Sequence, residues 1–190
     1  MRLLSDYVKT YDALDPEVCS DLIEIFEKNT PTSNPWYRHS EHRWTEDYRS
    51  FLEADITHIP EFKNYVMPIY NVARQVFAQY KKDVGTFFPD EVGFENLRIK
   101  KYNDNSHDQF GWHSDVGDYA SARRFVVMFF YLNDVKDGGE TQFQFDNSLF
   151  TIKPKRGTIV LFPPMWMFPH RGCKPISGPK YILSTYAHYK

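Results

Sequence analysis

The first residues with chemical potential are His113 and Asp115, separated by one serine, and His170, 57 positions beyond His113. Side chains two apart on an extended strand point the same way, so His113 and Asp115 can hold one metal ion together. The third ligand would come from a distant strand. Two imidazoles and a carboxylate suit divalent iron and leave coordination positions open. Two of those positions accept a chelating 2-oxo acid, and the third accepts dioxygen. Alone, a His-x-Asp pair is a weak signal, because most such pairs are surface features or satisfied polar contacts. Lys180 strengthens it. It falls ten residues after His170, at the start of the last strand-like run. A lysine inside a barrel is costly unless it meets an anion, and a second carboxylate on the oxo acid would be that anion.

The elements that must position these residues fall into two textures. Asp15, Pro16 and Glu17 form a helix start, with a capping carboxylate, a proline suited to the first turn and an acid at the positive end of the dipole. Leu22, Ile23 and Phe26 follow at helical spacing, and the helix is expected to end near Asn29. Thr30 to Pro35 is rich in turn formers. The stretch 36–51 mixes aromatics with charges and has no clear period; a lid over the site and a core-covering loop are equally good readings of it. A second helix starts near Pro60 and repeats apolar residues every three or four positions from Phe62 to Tyr80, stopping by Gly85.

Beyond Gly93 short β-branched and aromatic runs alternate with Gly, Pro, Asn and Asp. Strands are expected at about 95–102, 124–132, 140–145, 149–153, 157–162 and 181–188. The run from Arg124 to Leu132 is apolar on both faces, which predicts a strand covered on both sides. Helices followed by many short strands imply an α+β fold. The expected architecture is a double-stranded β-helix, or jelly roll, with the N-terminal helices packed on one sheet. The 190 residues fit one domain, with 1–92 as mainly helical support and lid region and 93–190 as the jelly-roll catalytic core.

Composition narrows the class. The chain carries 23 basic and 25 acidic side chains, a formal charge of −2, and shows no basic run. That disfavours a nucleic-acid partner. No apolar run approaches 18 residues, and Met1 to Lys9 has no signal-like core, so no membrane partner and a cytoplasmic location are expected. Two cysteines, Cys19 and Cys173, are expected to be free thiols. The oligomeric state stays open.

The segment from Leu97 to Tyr189 resembles the catalytic core of the prolyl 4-hydroxylase group of iron(II)- and 2-oxoglutarate-dependent oxygenases. The matching stretches are Lys101-Tyr102-Asn103, His113-Ser114-Asp115, Tyr131-Leu132-Asn133-Asp134, Gly138-Gly139-Glu140-Thr141, Gly157 to Pro163, His170 and Gly178-Pro179-Lys180-Tyr181. Their order and spacing fit together, which no single motif would establish. The resemblance implies iron(II) on His113, Asp115 and His170, with 2-oxoglutarate and dioxygen as co-substrates, and it admits ascorbate as an accessory. It implies that Lys180 and Tyr131 bind the distal carboxylate, that Tyr102 lies beside 2-oxoglutarate, and that Ser184 supplies a hydroxyl on the same strand face. Arg124 and Tyr186 match positions that line the substrate mouth.

The implied reaction is hydroxylation of an unactivated C–H bond, with release of succinate and carbon dioxide. A prolyl residue in a peptide or protein is the favoured substrate; a free amino acid or other small molecule is the alternative. A halogenase of this fold would need the position that Asp115 fills. Nucleic-acid demethylases of the wider superfamily carry arginines in the final strand region, where Tyr181 to Thr185 has none. A hydrolytic zinc site would not call for Lys180. A non-catalytic jelly-roll binding module is the rival of a different class, and it predicts neither metal nor 2-oxoglutarate affinity.

Overall fold

The computed structural model describes residues 3–29, 37–42, 48–85, 87–146 and 148–190. In chain order its elements are β1 (Lys9–Asp12), α1 (Pro16–Lys28), β2 (Tyr37–His42), β3 (Arg49–Asp55), α2 (Lys63–Val84), β4 (Val92–Phe94) and β5 (Arg98–Tyr102). There follow β6 (Gln109–His113), β7 (Arg124–Tyr131), β8 (Thr141–Phe145), β9 (Ser148–Ile152), β10 (Thr158–Phe162), β11 (His170–Gly172) and β12 (Lys180–Tyr189).

All strand pairings are antiparallel, in the order β1-β10-β7-β12-β5-β3-β6-β11-β8-β9, with β2 added to β3 and β4 to β12. The sheet curls on itself, and the alternation of side chains on β7 shows how. Val126, Met128 and Phe130 belong to a core shared with α1 and α2. Val127, Phe129 and Tyr131 belong to a second core with Phe143 and Phe145 of β8, Ile152 of β9, and Val160 and Phe162 of β10. β7 is therefore covered on both faces, as its doubly apolar sequence predicts. The helices close the outer face; the inner face is the interior of a double-stranded β-helix.

Both helices begin and end where their sequences direct. The Asp15 carboxylate accepts the Glu17 backbone N–H at 2.8 Å, and Pro16 opens α1. Cys19, Leu22 and Phe26 are buried along one stripe. Burying Leu22 and Phe26 stabilises the docked helix by about 1.5–3 kcal/mol each. A single 3-10 turn at Pro60–Phe62 precedes α2, whose buried stripe runs Val66, Ile69, Ala73, Val76, Phe77, Tyr80 and Val84. Gly85 closes it with φ 56°, and its N–H bonds the Lys81 carbonyl at 3.0 Å. Both cysteines are free. No described helix is long and apolar enough to cross a membrane.

Several strands depart from the sequence expectation. The first half of the chain is not purely helical support: β1 pairs with β10, and β3 lies inside the sheet between β5 and β6. The stretch 36–51 contributes β2 and the start of β3, although Trp36, Trp44 and the turn-rich 30–35 lie outside the described residues. Its mixed pattern has a physical cause. Tyr37 packs against the core shared with the helices, whereas Ser40, Tyr48, Arg49 and the buried Phe51 border an open cavity, so two environments need different residue types on one short run. β6 and β11 were also absent from the expected strands. Both are short, and β11 has only three residues, too few to show a period.

Candidate functional site

His113 is the last residue of β6 and His170 the first of β11, and the two are directly opposite in the antiparallel register. Their ring centroids are 4.2 Å apart. Asp115 lies just beyond the strand, so convergence does not depend on strand alternation alone. The backbone N–H groups of Asp115 and Val116 donate to the Pro164 carbonyl at 3.1 and 3.2 Å, which holds the turn that brings the carboxylate back. Asp115 Oδ1 lies 3.8 Å from His113 Nε2, and Oδ2 lies 3.3 Å from His170 Nε2. One ligand atom from each of the three residues falls within 4.8 Å of the others.

The hydrogen-bond pattern decides which atoms face the centre. His113 Nδ1 is 2.8 Å from the Gly111 carbonyl, and His170 Nδ1 is 3.0 Å from the Phe168 carbonyl. A carbonyl only accepts, so each ring donates its Nδ1–H and presents a bare Nε2 to the cluster when neutral. Phe110 stacks on His113 with centroids 3.5 Å apart, while Phe143 and Phe162 flank His170. Burial and the neighbouring His170 push the His113 pKa down to about 3, so this ring is neutral at physiological pH.

Asp115 is fixed differently. Its Oδ1 accepts the Tyr186 hydroxyl at 2.8 Å, whereas its buried Oδ2 has no hydrogen-bond partner. Burial alone would raise its pKa, but the two histidines and the Tyr186 hydroxyl hold the carboxyl well below the usual carboxylate range. A buried carboxylate oxygen with no hydrogen-bond partner, 3.3 Å from one bare imidazole nitrogen, in a group whose other oxygen lies 3.8 Å from a second, fits a divalent cation. The residues present therefore match the donor set of an iron(II) site.

An inner cavity leads from this cluster into the β-helix, bordered by Tyr102, Thr141, Lys180 and Ser184 among others. Lys180 is 2 % exposed, and its ammonium donates to the Gly139 carbonyl at 3.0 Å and the Cys173 carbonyl at 3.4 Å. It lies 4.5 Å from the Tyr102 ring centroid. Burial pushes its pKa down to about 8. An ammonium has three donors, so two carbonyls leave one for an incoming anion.

The remaining expected site residues divide. Tyr102 and Ser184 border the inner cavity. The Tyr131 hydroxyl is instead engaged with Thr141 Oγ1 at 2.6 Å, and Thr141 rather than Tyr131 reaches the cavity surface. Arg124 forks onto Glu95 through Nε and Nη2, both at 2.8 Å, and also donates to the Asp115 carbonyl at 3.2 Å. Its guanidinium lies 4.0 Å from the centroid of the Tyr186 ring. Arg124 and Tyr186 thus brace the carboxylate ligand as well as bordering the outer cavity. Phe168 is buried and gives its carbonyl to His170, whereas Trp166 in the same loop is 78 % exposed.

Sequence reasoning missed Thr141, Arg49, Arg98 and Lys100. Thr141 sat inside a recognised motif without a role. Arg98 and Lys100 carry a signal in hindsight: with Tyr102 they alternate along β5, so all three share one face.

Residues 97–188 match the family model of the 2OG-Fe(II) oxygenase superfamily. Among solved structures, a viral collagen prolyl hydroxylase from Paramecium Bursaria Chlorella virus-1, in its 2OG complex, is similar at TM-score 0.67 and 20% identity, over 97% of this chain and 96% of that one. A prolyl hydroxylase from Trichoplax adhaerens, in complex with a hypoxia inducible factor oxygen degradation domain peptide fragment, reaches TM-score 0.74 at 15% identity, over 97% and 84%. A Pseudomonas putida prolyl-4-hydroxylase gives 0.65 at 15% identity, over 97% and 93%. No curated protein matches the sequence.

Proposed function

We propose that this chain, a 2-oxoglutarate-dependent dioxygenase whose residues 97–188 fall in the 2OG-Fe(II) oxygenase superfamily, hydroxylates an unactivated carbon of a prolyl residue in a peptide or protein. Succinate and carbon dioxide are the expected co-products. The observation that carries the reading is the convergence of His113, Asp115 and His170 at the mouth of a cavity that contains the buried Lys180.

In this reading His113 and His170 give Nε2 and Asp115 gives its carboxylate to the metal. Bound iron(II) supplies the oxidative chemistry that couples 2-oxoglutarate and dioxygen to C–H hydroxylation. Lys180 anchors the distal carboxylate of 2-oxoglutarate, with the Thr141 hydroxyl beside it. The Tyr131 hydroxyl, hydrogen-bonded to that of Thr141, stands behind it. Val127, Phe129 and Ile182 border the same cavity and keep water from its walls. Tyr186 and Arg124 hold Asp115 in place from the substrate side. Because Asp115 occupies a ligand position, hydroxylation is favoured over halogenation.

The Trichoplax relative's peptide and the outer cavity's volume of about 410 Å³ support a peptide side chain as substrate. The same volume accepts a free amino acid, which is the second reading. The test is anaerobic binding of iron(II) and 2-oxoglutarate, followed by succinate release against proline-containing peptides and free amino acids. Absence of both 2-oxoglutarate binding and substrate-stimulated succinate release would overturn the reading.

A further inference from the structure

We propose that the substrate carries a carboxylate close to the carbon that is oxidised, and that Arg49, Arg98 and Lys100 receive it beside the metal cluster. The inference rests on the oxygenase reading and adds the charge of the substrate.

The outer cavity has His113 and Asp115 on one side and a basic wall on the other. Arg98 and Lys100 come from one face of β5, and Arg49 comes from β3. Lys100 is the deepest of the three and borders both the outer and the inner cavity. Its ammonium lies 5.2 Å from the Phe51 ring centroid and 5.6 Å from that of Phe110, so two aromatic rings flank it. Burial pushes its pKa down, while Glu53 and Asp115 oppose the shift. Arg49 Nε is buried without a hydrogen-bond partner, and the guanidinium stands 6.0 Å from Phe110.

Among the described residues, none of these three cations has a side-chain hydrogen bond or close ion pair. Arg124 differs, because its fork already holds Glu95. Among the described residues Glu53, buried and opposite Lys100 in the β3–β5 register, is the one carboxylate on this wall besides Asp115. Counted over the described residues, these three cations against Glu53 leave an excess of two positive charges around a cavity of small-ligand size. Half-buried like charges crowded on one wall favour an anion between them, and a planar guanidinium matches a carboxylate through two parallel hydrogen bonds. A neutral proline-rich strand would leave these charges uncompensated. An entering carboxylate compensates them and fixes the substrate against the metal cluster, which is the preorganisation that C–H oxidation requires.

The carboxylate has two sources, a free amino acid or an acidic side chain beside a prolyl residue, and matched probes separate them. Protein loaded with manganese(II) and 2-oxoglutarate is titrated calorimetrically with L-proline and L-prolinamide, and with N-acetyl-Ala-Pro-Glu-amide and its Gln counterpart. The acid is expected to bind about tenfold or more tightly than its amide in at least one pair, the loss expected when a charge-assisted hydrogen bond is removed. The responding pair identifies the source. In the Arg98→Gln/Lys100→Met double variant the preference should vanish; if that variant does not fold by circular dichroism, Arg49→Gln is read instead. Equal binding of acid and amide, binding of neither, or an unchanged preference in a folded variant overturns the proposal. Failure of wild-type protein to bind metal and 2-oxoglutarate is seen before any probe is added, and it counts against the oxygenase reading instead.

Discussion

Tyr186 donates its phenolic hydrogen to Asp115 Oδ1 at 2.8 Å, and the other carboxylate oxygen of Asp115 has no protein partner. The tyrosine thereby fixes the carboxylate plane, with Oδ1 on the His113 side and Oδ2 on the His170 side. It is a positioning residue, braced in turn by Arg124 against its ring. Tyr186→Phe removes the hydrogen bond and keeps the ring. Metal affinity should fall by about 10–100-fold, the usual cost of losing a partner that orients a ligand. Competition with a chromophoric chelator measures it. Wild-type affinity in the variant would show that the turn pinned to Pro164 suffices to orient Asp115.

Lys180 gives the enzyme a pH limit. Burial lowers its pKa from 10.5 to about 8, so the ammonium is charged at pH 7 and loses its proton as pH rises through 8. A dicarboxylate binds the charged form preferentially. The 2-oxoglutarate Kd should therefore be flat below pH 7 and rise by about tenfold per pH unit above 8, until the pKa of the bound state is reached. Lys180→Met should weaken binding by about 3–5 kcal/mol, the cost of stranding one member of a buried ion pair, and flatten the pH dependence. Calorimetric titration at several pH values with manganese in the site reads both effects. An unchanged Kd in Lys180→Met would remove the lysine from the co-substrate site.

The legible part of this molecule was the part where one environment acts on one element. α1 announced itself through Asp15, Pro16 and the Leu22–Phe26 stripe, and β7 through apolar residues on both faces. His113, Asp115 and His170 stood out in the sequence because their chemistry and spacing are rare in combination, and their ligand atoms lie within 4.8 Å of one another. β6 and β11, which carry the histidines, were not, because short strands that switch between core, cavity and metal show no period. The basic wall escaped for a related reason. Arg49, Arg98 and Lys100 look like solvated charges in sequence, and only the curl of the sheet brings β3 and β5 together around one cavity.

Gly157 tests the fold independently of the site. Its φ is 79°, a conformation that L side chains rarely adopt, and a Cβ there would meet the Leu14 carbonyl oxygen at 2.4 Å. That segment also accepts a backbone hydrogen bond: the Leu14 N–H donates to the Gly157 carbonyl at 3.1 Å, joining the turn before β10 to the entry of α1. Gly157→Ala should destabilise the protein by about 2 kcal/mol or more, from left-handed strain plus the clash. Urea unfolding monitored by tryptophan fluorescence checks it, and an unshifted midpoint would mean that the turn relaxes freely.

Asp115 decides the reaction class. In the proposed site its carboxylate is a ligand and also balances one of the two positive charges of a divalent ion, so Asp115→Ala should lose metal affinity and hydroxylation together. Asp115→Glu keeps the charge on a longer arm. The displaced oxygen can no longer take the Tyr186 hydrogen bond and face both histidines from the same place. That variant should retain metal while releasing more succinate per product formed. The decisive measurement is product mass from wild-type protein incubated with iron(II), 2-oxoglutarate, oxygen, chloride and a turnover-competent substrate. A gain of one oxygen atom is expected, because Asp115 stands where a halide would have to bind. A chlorinated product, or full activity from Asp115→Ala, would remove the carboxylate from the ligand set and with it the assignment of the cluster.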